Sequence, residues 1–75
     1  MNESIRRSIE AQLAKLGTEE RRLNNYYDGR MRVANDGYYA GIARSRAKRE
    51  AMQAQKRLDE IITRKIELAQ ELRKL

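Results

Sequence analysis

The stretch Asn25-Tyr26-Tyr27-Asp28-Gly29-Arg30-Met31-Arg32-Val33-Ala34-Asn35-Asp36-Gly37-Tyr38-Tyr39 decides how the chain is read. It holds all four tyrosines, which flank two Asp-Gly steps, and charged sequence with helical spacing lies on either side of it. At Asn35-Asp36-Gly37 the turn signal is strongest. Glycine tolerates the left-handed conformation that ends helices, and Asn and Asp side chains bond to turn backbone. The chain is expected to reverse there.

Working outward toward the N-terminus, apolar residues recur at Ile5, Ile9, Leu13, Leu16, Leu23, Tyr27, Met31 and Ala34, with Glu20 as the one interruption. Steps of three and four make one helical stripe. Asn2 can cap this helix, and Glu3 in its first turn complements the partial positive charge of the free amides. Gly17 and Gly29 each cost about 1 kcal/mol against alanine in a helix interior. Neither shifts the phase of the stripe, so the helix is expected to run through both, with a break at Gly17 or at Asp28-Gly29 as the alternative.

Toward the C-terminus a second stripe runs Ala40, Ala43, Ala47, Ala51, Ala54, Leu58, Ile61, Leu68, Leu72 and Leu75, with Lys65 where an apolar residue would fall. The expectation is one all-α domain over residues 1–75. It has a helix at about 3–35, a turn at about 35–37 and a helix at about 38–74, forming an antiparallel, coiled-coil-like hairpin. A second helix of about 38 residues would be about 57 Å long. A tight turn at Asp36 and Gly37 pairs residues whose numbers add to about 73. Leu16 then meets Leu58, Leu13 meets Ile61, Ile5 meets Leu68, and the larger residues near the tip face alanines.

Ile62, Ile66 and Ala69 widen the second stripe beyond what one neighbouring helix covers. A homodimer, as a four-helix bundle, is the simplest way to bury them.

Composition limits the chemistry. The chain has no Cys and no His, which excludes disulfides, thiolate and imidazole metal sites, Ser-His and Cys-His nucleophiles and a histidine pH switch. Ser4, Ser8, Ser45, Thr18 and Thr63 have no activating partner. No catalytic residue, cofactor or metal is assigned, and the chain is read as non-enzymatic. Asp28 and Asp36 could be imagined as a metal pair, but they stand eight residues apart beside Arg30 and Arg32 and each precedes a glycine. Turn roles explain them. Charges every few positions in the first twelve residues argue against a secretory signal, and a cytoplasmic, non-membrane protein is expected.

The net charge is +6, and residues 30–49 hold +5 of it: Arg30, Arg32, Arg44, Arg46, Lys48 and Arg49 against Asp36. Tyrosine and arginine are enriched where proteins grip one another, and both stack on bases. The candidate partner-binding set is therefore Tyr26, Arg30, Arg32, Tyr38, Tyr39, Arg44, Arg46, Lys48 and Arg49, with Tyr27 on the seam. The expected role is an interaction module of inhibitor, adaptor or chaperone type that engages an acidic protein or nucleoprotein surface. Direct nucleic-acid binding through 30–49 is the alternative. Comparison of Arg44 to Arg49 with a basic-region leucine zipper fails: Tyr38 stands where that family has Asn, Gly41 weakens the helix, and Lys65 interrupts a short seam.

Overall fold

The computed structural model describes residues 2–75 and has two helices, α1 (Asn2–Asn35) and α2 (Gly41–Arg73), joined by residues 36–40. The helices pack side by side into a rod 57 × 15 × 12 Å. No strand and no helix long and apolar enough to cross a membrane occurs among the described residues.

α1 is continuous through Gly17 and Gly29, so neither break forms. The stripe keeps its phase across both glycines, and the packing gained along it outweighs their propensity cost. Asn2 already lies inside the helix rather than at its cap.

The reversal is longer than the expected turn at 35–37, and α2 starts at Gly41 rather than near 38. Asp36 is the cause. Its Oδ1 accepts the Tyr38 amide at 2.9 Å, its carbonyl accepts the Tyr39 amide at 3.2 Å, and its own amide donates to the Val33 carbonyl at 3.3 Å. This Asx-turn competes with helix and holds Tyr38 and Tyr39 in the connection. Ala40 is extended, with φ −61° and ψ 151°, and α2 begins with the Arg44 amide donating to its carbonyl at 3.0 Å. No described glycine has positive φ, so the expected left-handed stop at Gly37 does not occur.

Both stripes follow a strict alternation of four and three: Ile9, Leu13, Leu16, Glu20, Leu23, Tyr27 on α1, and Ala47, Ala51, Ala54, Leu58, Ile61, Lys65, Leu68, Leu72 on α2. That period of 3.5 is the seam of a coiled coil. Ile9, Ala47, Ala51, Ala54, Leu58, Ile61 and Leu68 are buried, and Leu13, Leu16, Leu23, Tyr27, Met31 and Ala34 are half-buried. Ile5, expected in the seam, is 48% exposed.

Cross-helix bonds give the register. Arg57 grips Glu19 with a two-pronged fork, Nε to Oε1 at 2.9 Å and Nη2 to Oε2 at 3.1 Å, and Tyr26 bonds to Glu50, pairs whose numbers add to 76; Arg44 with Ala34 adds to 78, Arg30 with Glu50 to 80 and Lys65 with Glu20 to 85. Every cross-helix pair thus adds to more than the expected 73, in keeping with a connection that consumes five residues. The expected pairings of Leu16 with Leu58 and Leu13 with Ile61, which add to 74, and of Ile5 with Leu68, which adds to 73, fall below all of these sums. On the tip half of the seam α2 contributes buried Ala47, Ala51 and Ala54, small side chains that let the helices approach closely.

The two interruptions of the stripes bind each other: Lys65 Nζ donates to Glu20 Oε1 at 2.9 Å, with both side chains partly covered.

Candidate functional site

The tip stands at the end of the seam where the connection joins α1 to α2, and its nine candidate residues separate into two groups. Tyr26, Arg30 and Arg44 are engaged within the chain. The Tyr26 hydroxyl donates to Glu50 Oε2 at 3.0 Å. Arg30 Nη1 lies 3.9 Å from Glu50 Oε1, and its guanidinium carbon stands 5.9 Å from the Tyr26 ring centroid. The hydrogen bond to Glu50, with partial desolvation and the carboxylate charge, raises the Tyr26 pKa above the ordinary phenol value, and Arg30 opposes the rise. Arg44 Nε donates to the Ala34 carbonyl at 3.2 Å. This places a cation on the last turn of α1, where free carbonyls concentrate negative charge.

The other six are not held in this way. Among the described residues, no carboxylate lies in ion-pair range of Arg32, Arg46, Lys48 or Arg49. Tyr38 is 92% exposed and meets Tyr39 edge to face, ring centroids 6.2 Å apart and planes at 86°. Lys48 and Arg44 border a groove of about 440 Å³ floored by Met31, Ala34 and Gly41.

The tip also contains a residue outside the expected set. Ile42 is 78% exposed directly after the tyrosines. Its phase places it opposite the seam, on the outer line Ile42, Arg49, Lys56, with Arg46 one turn along. The sequence signal was an isoleucine one position off the alanine stripe. By the same phase Arg32 lies on the outer face of α1, so the fold does not join it to the α2 cations.

At the base, Ile62 and Ile66 are 46% and 54% exposed and Ala69 is half-buried. Gly17 on α1 is half-buried, and a Cβ placed there would meet nothing within 4 Å. The exposure of Ile62 and Ile66 means that α1 leaves this side of α2 uncovered. Comparison with protein-family models, with curated proteins and with solved structures gives no match to this chain.

Proposed function

We propose that the protein is a non-enzymatic, cytoplasmic interaction module whose hairpin tip grips an acidic macromolecular surface, in the manner of an inhibitor, adaptor or small chaperone. The observation that carries this reading is the exposure of Tyr38 and Ile42, at 92% and 78%, beside Arg46, Lys48 and Arg49, which have no ion-pair partner among the described residues. Apolar anchors ringed by cations suit an apolar pocket with an acidic rim on a protein partner. Tyr39 supports Tyr38 through its ring contact, whereas Tyr26, Arg30 and Arg44 build the tip. At the other end, Ile62, Ile66 and Ala69 associate with a second copy, covering the face that α1 leaves open.

Direct nucleic-acid binding is the second reading, favoured by the same cations, since phosphate binding requires free lysine and arginine. The test is capture of partners from the source cell with and without nuclease, repeated with Tyr38→Ala and Ile42→Ala. A single acidic protein retained after nuclease and lost with either substitution supports the first reading. Capture abolished by nuclease supports the second.

A further inference from the structure

One side of α2 carries Asp59, Ile62, Ile66, Ala69 and Arg73 at steps of three and four, so all five lie along one strip. Asp59 Oδ1 accepts a bond from Gln55 at 3.0 Å. Among the described residues neither Asp59 nor Arg73 has an ion-pair partner. Asp59 stands seven positions before Ile66 and Arg73 seven after it. An apolar strip with opposite charges at equal distances on either side is complementary to itself when reversed. Turned end for end, a second copy sets Ile66 against Ile66, Ile62 against Ala69 and Asp59 against Arg73, and the last two contacts recur by symmetry. Laid in the same direction, two such strips set Asp59 against Asp59 and Arg73 against Arg73.

The charge of the whole chain points the same way. Residues 30–49 carry +5 of the net +6, which leaves +1 over all the rest. Side-by-side copies in the same direction would bring two strongly basic tips together, whereas overlap of the nearly neutral bases keeps them apart.

We propose that a second copy docks on this strip antiparallel, base to base, with the twofold axis at Ile66 and the two tips at opposite ends of one rod. This rests on the self-association stated above and adds its direction and its consequence. Tyr38 lies 28 residues from the axis, so the tips are about 84 Å apart at 1.5 Å per residue. The dimer is then a bivalent strut that bridges two partner molecules and cannot place both tips on one compact site.

The cysteine-free chain allows single-cysteine variants without background. Under mild oxidation Ile66→Cys is expected to form a covalent dimer. An equimolar mixture of Asp59→Cys and Arg73→Cys is expected to form the mixed disulfide, with neither variant linking to itself. Sedimentation of Asp59→Arg or Arg73→Asp alone should show the dimer weakened on the order of tenfold, and D59R combined with R73D should restore it. Small-angle scattering of the unmodified protein should give a maximum dimension of about 90 Å rather than about 60 Å, since each rod is 57 Å long and only the bases overlap. A dimer about 60 Å long, or one in which Asp59→Cys links to itself, overturns the antiparallel arrangement and leaves self-association standing. A protein monomeric at high micromolar concentration overturns both.

Discussion

Glu20 and Lys65 each look like a fault when their own helix is considered alone, and only the fold makes them partners at 2.9 Å. A polar pair in an otherwise apolar seam favours one register over its neighbours, because a slip of one heptad would leave both charges facing leucine or tyrosine. Lys65→Ala should therefore cost about 1 kcal/mol in chemical unfolding. The double variant E20L/K65L should be more stable than the parent, because two leucines then fill the seam. Single effects that simply add would show that the pair is not coupled. Tyr26 makes a different kind of statement. Its pKa is raised chiefly by the bond to Glu50, so the folded chain holds the phenolic proton more tightly than the unfolded chain does. The stability this contributes is complete below the ordinary phenol value of about 10 and is lost as pH rises through the higher folded value. Between pH 9 and 11 the parent should lose more stability than Tyr26→Phe, a comparison in which the lysines titrate equally. Equal losses would mean that the bond to Glu50 does not persist in solution.

The two helices and their seam were legible in the sequence because heptad spacing survives everything placed between its members, including Gly17 and Gly29. The connection was less so. Sequence reasoning gives weight to Gly37 as a left-handed stop, whereas the bonds at Asp36 end α1 with every described glycine at negative φ. The longer connection, with α2 starting at Gly41, leaves every cross-helix bonded pair adding to more than the expected 73. A Cβ at Gly37 would meet nothing within 4 Å, so Gly37→Ala should stabilise the protein by about 0.4–1 kcal/mol through the unfolded chain. A lower melting temperature would mean that this glycine does visit positive φ. The alanine half of the seam gives the opposite result. Ala51 is fully buried in the seam, and Ala51→Leu should cost about 2 kcal/mol because the helices must part to admit it. No loss on thermal unfolding would show that the helices are not closely apposed there. Of the candidate site, the basic stretch and Tyr38 were legible from composition. The engagement of Tyr26, Arg30 and Arg44 was not, because their partners Glu50 and Ala34 lie up to 24 residues away. Ile42 was missed because an apolar residue off the stripe has no periodic neighbour to announce it.

For the molecule as a whole, the two functional readings differ in how affinity divides between cations and apolar anchors. A phosphate track of Arg46, Lys48 and Arg49 releases counterions on binding, so affinity falls steeply with salt and each lost contact flattens the slope by roughly one unit. A protein interface that buries Tyr38 and Ile42 depends on salt mainly through its association rate. Tyr38→Ala or Ile42→Ala should then cost about 2 kcal/mol or more of binding, as central anchors do, while Lys48→Ala or Arg49→Ala should slow association and leave dissociation nearly unchanged. Arg44→Ala provides an internal control. It removes a cation from the tip but also the bond that closes the end of α1, so it should lower the melting temperature as well as binding, whereas Arg46→Ala should alter binding alone. Tight binding of generic nucleic acid at physiological salt, abolished by reversing Arg46 and Arg49 and indifferent to Tyr38 and Ile42, would move the function to the phosphate track and leave the hairpin as its scaffold.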